Sequence, residues 1–261
     1  MKDSVTRIIN SVSVKFIVIG ILSLLLLIPV SMIRQLVLER QTRSEEAILE
    51  VSQKWGLAQT VTGPYLNVPL KERHLNEGKE EFFRRDLYLL PDDLKIDGMV
   101  SPEEKTRGIY RVIVYQGKLQ LSGSIRVDES LREQISGMEV ANNTLYLCLG
   151  MTDLRGIKDL TIRVGGELFE EMPGLPTDRI AGKGIHIPLP KETLDREVIP
   201  FTIQLDLDGS QKLFFVPLGK TTDVRLSSTW ADPSLTGPSS RFLRKPKPEK
   251  RDSPPIGRSI T

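Results

Sequence analysis

Residues Phe16 to Ile33, FIVIGILSLLLLIPVSMI, form an uncharged apolar run between Lys15 and Arg34. As a helix rising about 1.5 Å per residue, this run covers roughly 27 Å, close to the hydrocarbon thickness of a bilayer. It predicts a membrane anchor built on Phe16, Ile17, Ile19, Leu22, Leu24, Leu25, Leu26, Leu27, Ile28, Pro29 and Ile33. A cleaved secretory peptide needs a shorter apolar stretch and a small-residue cleavage site. After Pro29 the chain reads VSMIRQLVLER, without an Ala-x-Ala pattern, so an uncleaved signal anchor is expected. Pro29 near the outer end can kink a membrane helix while neighbouring groups satisfy the freed carbonyl.

Charge at the two ends does little to orient the anchor. Lys2, Arg7 and Lys15 precede it, and Arg34, Arg40 and Arg43 follow. Acidic residues count for little in this bias. The short N-terminal segment, 1–15, favours an N-terminus inside and a large domain outside.

Arg34 to Lys54 holds strong helix formers, no glycine and no proline, and alternating charges. It predicts a juxtamembrane stalk helix that stops at Trp55-Gly56, within a helix-and-linker segment 34–60. From Val61 the apolar period becomes two. Phe201, Ile203, Leu205 and Leu207 alternate with Thr202, Gln204, Asp206 and Asp208. Val224, Leu226, Ser228 and Trp230 alternate in the same way. Such alternation marks strands with one face in a core and one in water. Gln116-Gly117, Gly165-Gly166 and Asp208-Gly209 read as turns. About ten strands with little helix between them predict a mainly β, antiparallel sandwich- or barrel-like domain over 61–234. Gly63-Pro-Tyr-Leu-Asn-Val-Pro69 echoes Gly184-Ile-His-Ile-Pro-Leu-Pro190, which would fit two related lobes.

The formal charge of +2 conceals an asymmetry. From Arg241 onward seven basic and two acidic residues give +5, leaving about −3 for the rest. An acidic body argues against nucleic-acid binding. The basic, proline-rich tail 235–261 has no apolar periodicity and is expected to be disordered.

Motifs for chemistry dissolve on inspection. Gly219-Lys220-Thr221 lacks the earlier glycine of a phosphate-binding loop, because Phe214 stands there. Asp206-Leu-Asp-Gly209 lacks a glutamate at the twelfth calcium-loop position, where Pro217 stands, and reads as a hairpin turn. His74 and His186 are far apart, and no Cys/His/carboxylate cluster has metal-ligand spacing. No Gly-x-Ser-x-Gly elbow occurs, and Asn142-Asn-Thr144 is a weak glycosylation match. Cys148, the single cysteine, lies in the alternating run Leu145–Leu149 and reads as a structural strand residue. No catalytic, cofactor or metal residue is expected.

Several segments together resemble the inner-membrane protein CreD family of bacterial cell-envelope proteins. They are Leu27-Ile-Pro-Val-Ser-Met-Ile-Arg-Gln-Leu-Val-Leu-Glu-Arg40, Gly63–Pro69, Leu90-Pro-Asp-Asp-Leu-Lys-Ile-Asp-Gly98 and Arg107-Gly-Ile-Tyr110. Asp153-Leu-Arg-Gly-Ile157, Gly184–Pro190, and Leu226-Ser-Ser-Thr-Trp230 with Pro233-Ser234 follow in order. The resemblance implies one N-terminal helix, a large β-rich periplasmic domain, and in similar proteins a C-terminal helical bundle. It also implies a cytoplasmic N-terminus in the bacterial inner membrane. The family is associated with envelope integrity, colicin tolerance and β-lactam responses, and expression of its namesake is tied to a two-component system. The implied partners are the lipid bilayer and inner-membrane or envelope proteins. The family pattern continues from the Trp/Pro-Ser segment with Phe-Leu-Pro, whereas here Thr236 leads into GPSSRFLRKPKPEKRDSPPIGRSIT. Codons for Pro238-Ser-Ser-Arg241, read two nucleotides later, can encode Phe-Leu-Pro. The chain is therefore expected to be an N-terminal fragment with an out-of-frame tail. The alternative is a natural short form whose basic tail touches a phosphate-bearing surface.

Overall fold

A computed structural model describes residues 12–76, 79–230 and 241–242. It opens with one uninterrupted helix, α1 (Val12–Trp55), followed by strands in two seven-stranded sheets. In the first sheet β1 (Gln59–Asn76) is central to pairing. It is flanked by β2 (Lys79–Leu89), β5 (Glu139–Val140), β6 (Thr144–Met151) and β12 (Leu213–Val216). Strands β10 (Gly184–Pro190) and β9 (Met172–Pro173) extend it beyond β6. The second sheet contains β3 (Asp93–Arg107), β4 (Tyr110–Arg126), β7 (Ile157–Val164), β8 (Glu167–Phe169), β11 (Val198–Ser210), β13 (Thr221–Ser228) and β14 (Arg241–Phe242). Their order is β14-β13-β3-β4-β11-β7-β8.

The period of two works as expected along β11. Phe201, Ile203, Leu205 and Leu207 are buried while Gln204 is exposed. Leu119, Leu121 and Ile125 on β4 alternate in step and face the same core. From the first sheet, Leu66, Val68, Leu70, Leu145, Leu147 and Leu149 complete it, so one hydrophobic cluster joins both sheets. Each fully buried aliphatic side chain contributes about 1.5–3 kcal/mol of transfer free energy. The mainly β, sandwich-like reading therefore holds.

Several local expectations do not. The echoing segments Gly63–Pro69 and Gly184–Pro190 do not found separate lobes. They lie on either side of β6, where Tyr65 and His186 both pair with Cys148. Neither segment can bury its apolar face alone, and β6 supplies a shared partner. Gln116-Gly117 is not a turn but mid-strand in β4, paired to Asp208 and Leu207 on one side and to Ser101 and Val100 on the other. Asp208-Gly209 likewise lies within β11, with Gly209 opposite Tyr115. The chain turns instead just beyond β11, at Gln211, which takes a φ of 60°. At Gly209 the glycine marks a close approach, a Cβ there falling 2.3 Å from the Tyr115 hydroxyl oxygen, while at Gly117 ladder pairing on both sides of a long strand outweighs the local turn signal.

The sheets are also not wholly antiparallel: β1–β12, β3–β13 and β13–β14 run parallel. A short helix, α2 (Glu129–Ile135), follows β4, capped by Asp128, whose Oδ1 accepts the Leu131 N–H at 2.9 Å. Within the tail expected to lack structure, Arg241–Phe242 pairs with Arg225–Leu226 as β14, because the edge of β13 offers unpaired backbone groups. The rest of the tail, and segment 1–11, lie outside the described residues.

Candidate functional site: the membrane anchor and its polar junction with the β domain

The anchor residues all sit on α1, a helix of 44 residues. At about 1.5 Å per residue it is roughly 66 Å long, about twice a hydrocarbon core. Phe16, Ile17, Ile19, Leu22, Leu24, Leu25, Leu26, Leu27, Ile28 and Ile33 are each more than half exposed, and none of the other described residues covers this stretch. Pro29 lies inside the same helix. An apolar surface of this length with nothing against it matches a lipid environment and not a protein core. Apolar exposure continues past Arg34 through Leu36, Val37 and Leu38.

Beyond the apolar run the helix is solvated and carries the expected paired charges, such as Arg43 with Glu39 at 2.7 Å. Its last turns dock onto β3, β4 and β11. Ala47 and Ser52 become buried there. Glu50 forms a bidentate pair with Arg107, accepting from Nε at 2.9 Å and from a terminal nitrogen at 2.8 Å. Lys54 and then Arg107 hold the Glu50 carboxyl below its usual range. Trp55 Nε1 donates to the Tyr115 carbonyl at 3.3 Å, and Lys105 Nζ sits 4.9 Å above the Trp55 ring. Higher on the stalk, the Tyr110 hydroxyl donates to the Arg40 carbonyl at 3.4 Å.

Gly56 ends the helix, as read from the sequence, but for a tertiary reason as well. A Cβ there would lie 2.6 Å from the Asp208 carbonyl oxygen, and one on Gly156 would lie 2.4 Å from the same atom. Two backbone segments thus close on one carbonyl, which only glycine permits.

Gln59, fully buried, ties these segments together. Its Nε2 donates to the carbonyls of Asp153 at 2.9 Å and Asp208 at 3.4 Å, and its Oε1 accepts the Asp153 N–H at 3.3 Å. The Asp153 carboxylate accepts the Leu57 N–H at 3.3 Å and forms two contacts with Arg155, at 2.9 and 3.0 Å. The Arg155 guanidinium, then the N–H groups of Arg155 and Leu57, hold the Asp153 carboxyl below its usual range against the cost of burial. Asp208, 4% exposed, pairs with Lys158 at 3.2 Å. The Tyr115 hydroxyl donates to the Lys212 carbonyl at 2.8 Å, which also accepts the Gln59 N–H at 3.0 Å. Burial pushes the Tyr115 phenol upward.

This cluster was missed by motif reading, because Gln59, Asp153 and Asp208 are far apart in sequence. Only the Asp153-Leu-Arg-Gly-Ile157 segment hinted at it. Its chemistry is structural: the carboxylates are satisfied by cations and backbone donors. Among the described residues, no group of three or more His, Cys, Asp or Glu side chains is placed to hold a metal ion. Cys148 is buried and its thiol is pushed up to about 12, so it is not a nucleophile at neutral pH. His186 Nδ1 lies 2.9 Å from the Gly174 carbonyl, and its ring meets Tyr146 edge-on. The side chain of His74 lies outside the described residues. Lys220 of the failed phosphate-loop match pairs with Asp92 at 2.6 Å.

An exposed apolar helix, joined through a buried polar junction to a two-sheet domain, defines a membrane-anchored β-sandwich protein. The chain belongs to the CreD family: the family model described as "Inner membrane protein CreD" matches residues 11–246. Inner membrane protein CreD of Escherichia coli (strain K12) is 29% identical over 222 residues, covering 82% of this chain and 48% of that protein. The chain therefore spans about half the length of the curated relative it matches. No solved structure matches. Family and anchor together give an inner-membrane location.

Proposed function

We propose that this protein is a non-catalytic structural or regulatory component of the bacterial cell envelope, acting in envelope integrity and stress response. Its N-terminus lies in the cytoplasm and its β domain in the periplasm, where it contacts other inner-membrane or envelope proteins. One observation carries the reading: a continuous helix passes from a lipid-matched surface directly into a domain whose polar centre is spent on holding that helix. Such a device presents a surface at a fixed place above the membrane. The core between the sheets is filled by side chains such as Leu66, Leu121, Leu145 and Leu205, all at essentially zero exposure. A filled core favours a protein-contact role over a small-molecule sensor with an internal site.

Deleting the coding gene is expected to sensitise the source bacterium to detergents and β-lactams, with rescue by the anchored protein and not by the same domain exported without residues 1–33. Protease added outside spheroplasts should degrade the domain. Resistance to that protease until the inner membrane is opened would overturn the topology. Full rescue by the unanchored domain would overturn the role of the anchor.

A further inference from the structure

The β3–β4 hairpin extends beyond its sheet. Pairing of β4 with β11 ends at Val114–Ser210, and pairing of β3 with β13 ends at Val100–Ser228. The two strands nevertheless continue together to Arg107–Tyr110. The result is a two-stranded ribbon that projects along α1 toward the anchor. Its contacts climb the helix in order: Tyr115 and Lys105 at Trp55, Arg107 at Glu50, Tyr110 at Arg40. Gly108, at a φ of 60°, turns the tip, and Ile109 stands at the apex, 83% exposed.

Arg40 lies seven residues beyond Ile33, about 10 Å along the helix at about 1.5 Å per residue. Apolar exposure on the helix reaches Leu38, within one turn of Arg40. The headgroup layer on each side of a bilayer is itself about 5–8 Å thick. Measured from Ile33 the ribbon tip lies at the outer margin of that layer, and measured from the last exposed apolar residue, Leu38, it lies within it. A two-stranded ribbon is marginal on its own, and a large apolar side chain at a hairpin apex is poorly matched to water. An isoleucine followed by a tyrosine suits the interface, where an apolar body and a polar tip are both satisfied.

We propose that the tip Arg107–Tyr110, led by Ile109, enters the headgroup layer beside the anchor as a second membrane contact that sets the orientation of the β domain. The occupant is the bilayer interface itself. Arg107 is taken up by Glu50, and Arg111 faces Glu104 at 3.4 Å, so the contact is apolar and needs no anionic lipid.

The proposal rests on the anchor reading, and its test separates the two. The full chain carrying Ile109→Cys is labelled with an environment-sensitive fluorophore and placed in phosphatidylcholine vesicles. Leu168→Cys serves as control. It is exposed and lies near Thr202, toward the end of β11 away from the junction. The label at 109 should shift to shorter wavelength and lose most of its emission to a shallow spin-labelled lipid, while the label at 168 should respond only to aqueous iodide. Adding phosphatidylglycerol should change neither. Protein that floats with the vesicles but has position 109 as open to iodide as 168 overturns the hairpin contact and leaves the anchor standing. Protein that fails to float overturns both. A response at 109 seen only with phosphatidylglycerol overturns the apolar contact in favour of an electrostatic one.

Discussion

Gln59→Ala tests whether the polar junction beneath the end of α1 holds β1, the Asp153 turn and β11 together. The amide of Gln59 satisfies the N–H and carbonyl of Asp153 and also reaches the Asp208 carbonyl, all in a buried setting. Truncation leaves the buried Asp153 N–H without its partner, at about 1–3 kcal/mol, and leaves the Asp153 carbonyl only the longer bond from the Gly156 N–H at 3.4 Å. The Asp208 carbonyl contact is longer, and a water entering the vacated space would recover part of the loss. The expected destabilisation is about 2–4 kcal/mol. Urea unfolding of the full chain in detergent, followed through Trp55 fluorescence, measures it, because Trp55 is docked beside the junction. The midpoint should fall with an unchanged slope. Gln204→Ala, on the exposed face of β11, should stay within about 0.5 kcal/mol of the parent. A Gln59→Ala loss as small as that of Gln204→Ala would refute the reasoning, since it would mean the junction is already hydrated.

Three further outcomes are expected. Asp153 is held below its ordinary range, so its contribution is fully present above the unfolded carboxylate value of about 3.9 and is lost as pH falls through the lower folded value. Urea midpoints taken down through that acid window should therefore drop less steeply for Asp153→Asn than for the parent, and parallel curves would contradict the assignment. Leu25→Asp with Leu26→Asp places two charges at the anchor centre, each opposing insertion by about 3 kcal/mol. That protein should leave the membrane fraction on carbonate washing, and its retention there would count against the anchor. Cys148 should resist maleimide at pH values near neutrality in the folded protein and react fully in denaturant, whereas prompt labelling of the native state would contradict its burial.

The apolar helix was legible because an uncharged, mostly apolar run of eighteen residues admits few other conformations, and the stalk because strong helix formers run unbroken to Trp55-Gly56. Alternation in β11 was legible for the same reason: one face must be dry. The junction was not, since Gln59 meets Asp153 and Asp208 only after β1, β6 and β11 are in place, and no local pattern encodes that meeting. Gly209 misled because a glycine that lets Tyr115 approach looks, in one dimension, like one that turns the chain, and Gly117 because the strands that hold it extended, β3 and β11, are set by pairing and not by its neighbours in sequence. Helix α2 escaped notice although Asp128 announces it, its seven residues carrying no buried side chain. The echo between Gly63–Pro69 and Gly184–Pro190 was seen correctly and placed wrongly, because sequence similarity does not say whether two strands are neighbours or ends of different sheets.

The position of β1 also has a bearing on synthesis. It follows the end of α1 after three residues and is the first strand to be made. Its hairpin partner β2 comes next, but β6 arrives only from Thr144 and β12 only at Leu213. Until then Gln59–Thr62 has no strand on either side. Pairing over such separations is slow. The first strand made is thus among the last to be closed, leaving an open strand edge that a chaperone at the translocation site would have reason to guard.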